Sequence, residues 1–329
     1  MKKYSLLILL AIAALGVKAQ NRKNITNFSQ VQQYFNPAFT GHEGSVLKSF
    51  YRNQWTGFEG APRTLFVSAE LDLADFVAWR DGNMAVEPAV TNNSLLGAKN
   101  ALGISLLHDS FGPFRESQVF MNYSSRVRLS EKLALRAGAG ISYNFTSLDY
   151  TSLTMDQESD PEYQDLIISD NKADKVDVNV GIMLTAEDYY LGYSLQDATK
   201  GKILSENDYY YRTFETQHVV QAGYRKGLSD QFGVVVNGMY RYDAKLKESV
   251  EAQVKGVFNN TVWVGAGYRQ NLAYSLMAGA LLNKVKIGYA YEAATGNAHG
   301  INKGSNEIML TYNLVPLKNK QSGKKLSIW

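Results

Sequence analysis

The alternation that runs from Val119 to Phe145 restricts this chain more than any other feature. In its second arm Leu133, Leu135, Ala137, Ala139, Ile141, Tyr143 and Phe145 alternate with Ala134, Arg136, Gly138, Gly140, Ser142, Asn144 and Thr146. A period of two is the pattern of a strand with one apolar face. The first arm, before the turn Ser130-Glu131-Lys132, sets Val119, Met121, Tyr123, Val127 and Leu129 against Gln118, Asn122, Ser124, Arg126 and Arg128. Strands of soluble sandwiches usually run about five or six residues, whereas these run about twelve, close to what a tilted strand needs to cross a bilayer. The expectation is a transmembrane hairpin, and around it an all-β, up-and-down barrel of antiparallel strands.

The N-terminus agrees with an exported protein. Lys2 and Lys3 precede an apolar run from Leu6 to Val17, and Val17-Lys18-Ala19 forms an A-x-A-like cleavage site before Gln20. Residues 1–19 read as a signal peptide. The run is too short for a spanning helix, and no later segment approaches 18 apolar residues, so no helical anchor is expected in the mature chain. With no cysteine, a lipoprotein anchor, disulfides and thiol chemistry are excluded. Loss of Lys2, Lys3 and Lys18 takes the formal net charge from +3 to 0, which leaves no nucleic-acid footprint. Mean hydropathy is slightly negative, as expected where half of each strand faces a polar lumen. The 21 Tyr, 27 Gly and only 6 Pro suit aromatic girdles and strands that exclude proline. No linker divides the chain.

Residues 20–44 show little periodicity and read as an extended lead-in at or inside the periplasmic mouth. The barrel is expected over residues 45–315. Its first strand runs from Ser45 to Trp55 and its second from Arg63 to Leu73, joined by a turn over Thr56–Pro62. Residues 74–100 break the pattern and read as an inserted connection that holds a short helix. Alternation resumes at Leu102, Ile104 and Leu106, then crosses the Phe111-Gly112-Pro113 turn into the opening hairpin. A long acidic loop follows, from Leu148 to Asp174. Nine further strands extend to Ile308, Leu310, Tyr312 and Leu314, for fourteen in all. An even count puts both termini on the periplasmic side, with short turns there and longer loops outside. The 74–100 insertion and the short Gln270-Asn271 turn depart from that alternation. A basic tail over residues 316–329, with Lys318, Lys320, Lys324 and Lys325, ends in Trp329.

Several blocks resemble a known family. Phe28-Ser29-Gln30, then Asn36-Pro37-Ala38-Phe39-Thr40-Gly41, then the run from Tyr51 to Thr64 resemble the type IX secretion system membrane proteins of the PorP/SprF family. The resemblance continues through Leu102-Gly103-Ile104-Ser105, the Asp109-to-Pro113 turn and the Leu133-to-Leu148 strand. The Arg52-Asn53-Gln54-Trp55 block with Gly60 and Pro62 is its most specific part, because generic alternation would not generate it. The resemblance implies an outer-membrane barrel of the type IX export and gliding machinery. Its implied partners are periplasmic and outer-membrane secretion components and, for some members, one large secreted adhesin. The insertion and the basic tail are not expected of the family.

Asn36, Pro37, Arg52, Asn53, Gln54, Trp55, Gly60 and Pro62 are thus the candidate residues, either for partner binding or as a structural motif. The structural reading has Arg52 and Gln54 lining the lumen in a charge and hydrogen-bond network, with Trp55 in the girdle. It is favoured because polar lumen residues need partners whatever the function. No catalytic, metal or cofactor site is expected. His108 and Asp109 are adjacent on a strand and so point to opposite faces. Asp156–Glu162 lacks the glycine and spacing of a calcium loop, and Tyr209-Tyr210-Tyr211 reads as girdle or loop packing. A secretion accessory acting through protein contacts is the leading functional reading. A passive pore or small-molecule transporter rests on the same alternation. An outer-membrane hydrolase would need a Ser-His-Asp/Asn set on one face, which the sequence does not supply.

Overall fold

The computed structural model describes residues 23–81, 97–149, 172–202, 215–245, 247–295, 303–315 and 328. Fourteen antiparallel strands form one closed barrel in sequence order. They are β1 (Val46–Asn53), β2 (Arg63–Asp72), β3 (Asn100–Phe111), β4 (Phe114–Arg128), β5 (Leu133–Leu148), β6 (Lys172–Ala186) and β7 (Tyr189–Gln196), then β8 (Gln217–Gly227), β9 (Phe232–Asp243), β10 (Lys247–Phe258), β11 (Val262–Arg269), β12 (Ala273–Leu282), β13 (Val285–Ala294) and β14 (Ser305–Asn313). β1 and β14 pair from Val46↔Asn313 to Asn53↔Asn306. Closure removes the free edge that a strand in lipid could not tolerate.

Alternation assigns the faces. On β5 the even positions Ala134, Arg136, Gly140 and Ser142 are buried, and the odd positions Leu135, Ile141 and Tyr143 are exposed. The same rule exposes Met121, Leu191, Val264, Leu276 and Ile308, which form the lipid-facing belt. A lumen that is polar throughout is not what the structure shows. Phe50, Phe66, Leu107, Val235, Met239 and Trp263 are buried, and each shares the parity of buried polar neighbours such as Arg52, Ser68, Asp109 and Arg241. They face inward because there is protein inside for them to pack against.

We call the end where β1 begins and β14 ends the terminal rim, and the other end the far rim. At the terminal rim β6 and β7 are joined by residues 187–188, β10 and β11 by 259–261, and β12 and β13 by 283–284. At the far rim, residues 54–62 and 197–216 make long connections, but 112–113, 244–246 and 270–272 are short. The expected asymmetry of the loops is therefore only partial. β6 begins at Lys172, two residues inside the loop expected to reach Asp174.

The insertion opens with an α-helix, which we number α2 (Leu73–Arg80). Asp72 caps it by accepting the Ala74 N–H. Ser45 donates to Asp75 at 2.6 Å, which ties the helix to the terminal rim. The signal peptide over residues 1–19, Asp156–Glu162, Tyr209–Tyr211 and the four tail lysines lie outside the described residues.

The lead-in is not extended. Residues 23–44 fold into a 3-10 turn at Phe28–Gln30, the short helix α1 (Gln32–Phe35) and a second 3-10 turn at Pro37–Phe39. They lie within the barrel, and nearly every residue from Ile25 to His42 is buried. Too short and aperiodic to hold its own shape, this segment takes its form from the wall around it.

Replacing Ile141, 58% exposed at the middle of β5, by lysine puts an ammonium in the hydrocarbon. The expected loss of folding free energy is about 2–4 kcal/mol, read from urea titration in lipid vesicles. Lysine at Phe114, exposed at the end of a strand, should cost roughly 1 kcal/mol or less.

Candidate functional site

The plug is held by two sets of wall residues, one toward each rim. Toward the far rim, six inward positions on six strands carry alternating charge. Glu307 (β14) meets Arg52 (β1) at 3.5 Å, and Arg52 meets Glu292 (β13) at 2.7 Å. Glu292 meets Arg269 (β11) at 3.1 Å, Arg269 meets Glu251 (β10) at 3.1 Å, and Glu251 meets Arg241 (β9) at 2.5 Å. Three guanidinium groups and three carboxylates leave the ladder neutral, as burial at this depth demands.

The ladder also supplies hydrogen bonds for the irregular backbone of the plug. Glu307 accepts the Thr26 N–H at 2.8 Å and the Asn27 N–H at 3.0 Å. Arg241 donates to the Lys23 carbonyl at 3.0 Å, and Gln253 to the Thr26 carbonyl at 2.6 Å. Arg52 donates to the Thr26 hydroxyl. Lys255 reaches the Asn27 side chain at 3.0 Å and the Ser29 hydroxyl at 2.7 Å. At the top of the plug Lys23 bridges Asp109 at 2.6 Å and Glu116 at 2.8 Å. Burial lowers the Lys23 ammonium, but the two carboxylates outweigh it and its pKa is raised.

The middle of the plug is apolar. Ile25, Phe28, Val31 and Phe35 pack with Phe50, Phe66, Leu107, Val219, Met239 and Met309 of the wall. The Arg241 guanidinium lies 5.6 Å from the centre of the Phe35 ring, a cation–π arrangement.

Toward the terminal rim the plug sits in a recess of glycines. Gly138 of β5 and Gly181 of β6 are direct cross-strand partners. A Cβ on Gly138 would strike the backbone of Pro37 and Ala38, and one on Gly181 would strike the Asn36 side chain. Asn36 also caps its own 3-10 turn by accepting the Ala38 N–H at 2.9 Å. Between this recess and the terminal rim Arg136, fully buried, donates to three backbone carbonyls: Ala38 at 3.0 Å, Thr40 at 2.6 Å and Ala98 at 2.6 Å. The last of these lies in the chain leading into β3, so one side chain ties the plug to the inserted connection. Lys48 and Lys286 both reach Glu43, at 2.8 and 3.1 Å. Burial alone would raise the Glu43 carboxyl, but these two ammonium groups hold it well below the usual carboxylate range. Next to it His42 is buried against the rings of Phe39 and Tyr190. Burial, aided by Arg136, lowers its imidazole to about 3, so it is neutral.

The candidate residues therefore separate into two places. Asn36 and Pro37 belong to the plug and Arg52 to the ladder. Asn53 ends β1 facing outward, and Gln54 lies beyond the strand, its N–H bonded to the Pro62 carbonyl at 2.9 Å. Gln54 is therefore not one of the ladder residues. Trp55 packs edge-on against Phe111 at 5.7 Å, at the far rim. Gly60, with φ +68°, accepts the Gly112 N–H at 2.8 Å, so the β1–β2 loop docks on the β3–β4 turn. His108 faces outward and bonds Ser117 at 2.9 Å, whereas Asp109 faces inward to Thr64 and Lys23.

The sequence model for the type IX secretion system membrane protein PorP/SprF matches residues 17–312, which take in the plug and all but the last residue of β14. The chain belongs to the PorP/SprF family. No curated protein matches it. Among solved structures it is similar to the CymD monoaromatic hydrocarbon channel, at 15% identity over 90% of this chain and 93% of that one, with a TM-score of 0.47. A Pseudomonas aeruginosa FadL homologue is similar at 9% identity over 85% and 93%, TM-score 0.45. Acinetobacter baumannii outer membrane protein Omp33 is similar at 8% over 83% and 99%, TM-score 0.42.

Within this PorP/SprF chain, Arg136, Glu251, Arg269, Glu292 and Glu307 were not singled out by motif. Their signal in the sequence is a charge at inward parity: Arg136, Arg269 and Glu307 stand alone in this on their strands, whereas Glu251 shares β10 with Lys255 and Glu292 shares β13 with Lys286.

Two measurements test this arrangement. Arg136→Met leaves three buried carbonyls without their charged donor and should cost about 3–5 kcal/mol, with faster amide exchange confined to residues 36–42 and the loop at Ala98. The second concerns pH. The folded-state pKa of His42 lies below its unfolded value of 6.5, so its burial costs nothing above that pH and progressively more as pH falls. From pH 6.5 to 5 the urea midpoint should decline, and His42→Phe should flatten that decline.

Proposed function

We propose that this chain is a plugged outer-membrane barrel that serves the type IX secretion machinery through protein contacts rather than by diffusion through its lumen. The observation that carries the reading is the plug itself. Residues 23–44 occupy the barrel with ionic, hydrogen-bonded and apolar contacts along its length. Between Thr26, Phe28, Arg269 and Glu292 a cavity of about 10 Å³ remains, room for a single water. Family membership supports the type IX assignment. Family membership and the barrel fold support a non-enzymatic role.

In this reading the terminal rim faces the periplasm and offers α2 and the 74–100 connection to secretion components. The far-rim loops then face outward, where an exported client, such as a large adhesin, is held. Outer-membrane lipid contacts the apolar belt.

Planar-bilayer recording on the purified chain tests the closed lumen. The wild-type barrel should show no steady openings. Gly138→Val, which drives a side chain into Pro37 and Ala38, should unseat the plug and produce them. Steady large openings in the wild type would establish the diffusion pore instead. Mild-detergent pull-down from native outer membrane, followed by mass spectrometry, tests the partners. Secretion components or one very large surface protein are expected, and a barrel carrying only lipid would remove the accessory role.

A further inference from the structure

The outward face of β1 to β6 changes character in steps toward the far rim. One cross-strand row, Ser49, Val67, Leu106, Val119, Tyr143 and Val176, is almost wholly apolar and belongs to the lipid-facing belt. The row two residues nearer the far rim is mixed: Tyr51, Leu65, His108, Ser117, Phe145 and Asp174. The next is Asn53, Arg63, Ser110, Arg115, Ser147 and Lys172. It holds no apolar residue and sets three cations on alternate strands, β2, β4 and β6. Neighbouring strands lie about 4.8 Å apart, so successive cations stand roughly 10 Å apart along the row.

Arg63 and Lys172 are exposed, and neither forms an ion pair among the described residues. Arg115 donates from Nη1 to the Gly112 carbonyl at 2.5 Å and to the Phe114 carbonyl at 3.1 Å, which holds its guanidinium against the β3–β4 turn. Asp109 and Glu116 lie next to this row in sequence but face inward to Lys23, so they do not neutralise it. Asp174, in the mixed row, accepts the Tyr143 hydroxyl at 2.9 Å. The far-rim ends of the strands across the barrel present a different surface. Tyr242, Tyr268, Tyr274 and Tyr291 face outward on β9, β11, β12 and β13, with Glu248 on β10. The cations are gathered on one side.

We propose that Arg63, Arg115 and Lys172 bind the phosphorylated sugar headgroup of an outer-leaflet glycolipid. The row is continuous with the belt, so a lipid whose acyl chains lie on Val67, Leu106 and Val119 brings its headgroup to these cations. That continuity favours a lipid over an acidic protein. Guanidinium and ammonium groups complement phosphate oxygens, and the spacing along the row suits a headgroup with more than one phosphate. In an outer membrane such a lipid occupies the outer leaflet. The inference therefore rests on the reading that the far rim faces outward, but it does not need the secretion role.

Native mass spectrometry of the delipidated chain in detergent, titrated with bisphosphorylated lipid A, phosphatidylglycerol or inorganic phosphate, tests the site. The triple variant Arg63→Gln, Arg115→Gln, Lys172→Gln should fold normally, as judged by heat-modifiable gel migration, and should bind lipid A at least about tenfold more weakly than wild type. Arg63→Gln alone should weaken it about fivefold, which keeps the test open if the triple variant misfolds. Lys226→Gln, outward near the terminal rim, should bind as wild type does. Equal affinity of wild type and the Gln variants for lipid A, equal affinity of wild type for lipid A and phosphatidylglycerol, or binding of phosphate alone overturns the proposal. An acidic protein lost from the triple variant while lipid A binding is unchanged would assign the row to a protein partner instead. Orientation is read separately from Glu59→Cys, in the exposed β1–β2 loop of a chain with no other cysteine. A membrane-impermeant maleimide should label it on intact cells. Labelling only after lysis puts the far rim in the periplasm and overturns the proposal, whereas the pull-down reports on the accessory role by itself.

Discussion

A charged side chain on the inner face of a closed barrel has to find its counter-charge inside the same barrel. Lipid lies beyond the wall, and water is displaced once the lumen fills. That requirement organises this molecule. Glu307, Arg52, Glu292, Arg269, Glu251 and Arg241 sit on six strands and alternate in sign, so each buried ion has an opposite neighbour and none is left to bear its desolvation alone. The spare hydrogen-bonding capacity of these groups then becomes the feature that lets an irregular segment live at membrane depth. Backbone N–H and C=O groups outside a helix or sheet are tolerated there only if the protein supplies partners. Glu307 takes two such N–H groups from the plug, and Arg241 and Arg269 take carbonyls.

The same logic, with different chemistry, operates at the other end of the plug. Arg136 donates to three carbonyl oxygens and to the Ser124 hydroxyl. A guanidinium suits that role because its donors fan out in a fixed plane. The close approach it requires is available only because Gly138 and Gly181 keep their strands bare where Asn36 and Pro37 lie. One end of the plug is thus gripped by the charge ladder, and the other by fit into the glycine recess together with Arg136 and the Lys48–Glu43–Lys286 ion pairs.

The barrel was legible in the sequence because its code is local. A period of two over long runs identified fourteen strands and, in those such as the Val119–Phe145 hairpin where the alternation is strict, the lipid-facing side, and the Tyr51-to-Thr64 block pointed to the PorP/SprF family. The plug was much less legible. Residues 20–44 carry no period, and the partners that shape them lie far away in sequence: Arg52 with Glu307, Asn36 with Gly181, Arg136 with Ala38. Motif reading selected Asn36, Pro37 and Arg52 but had no means of seeing that all three serve one internal interface. Gln54 was expected to line the lumen with Arg52; it lies past the end of β1 at Asn53, its N–H bonded to the Pro62 carbonyl of the β1–β2 loop. Two signals were nonetheless present. One is the set of charges at inward parity. The other is Phe50, Phe66 and Leu107, large apolar residues at positions that would face water if the lumen were open.

Those apolar inward residues bear on what an unplugged barrel would be. Removing residues 23–44 would expose Phe50, Phe66, Leu107 and Met239 to water and would also strip the ladder, nearer the far rim, of its bonds to the backbone. A pore that evolved to conduct would have no reason to keep either feature, since water and ions favour an evenly polar lining. A wall that is apolar at one depth, ionic at the next and bare at a third is matched to one particular chain. Any other occupant would have to reproduce that order along its own sequence, with backbone groups at the ladder, bulky apolar side chains in the middle and a tight turn at the glycines.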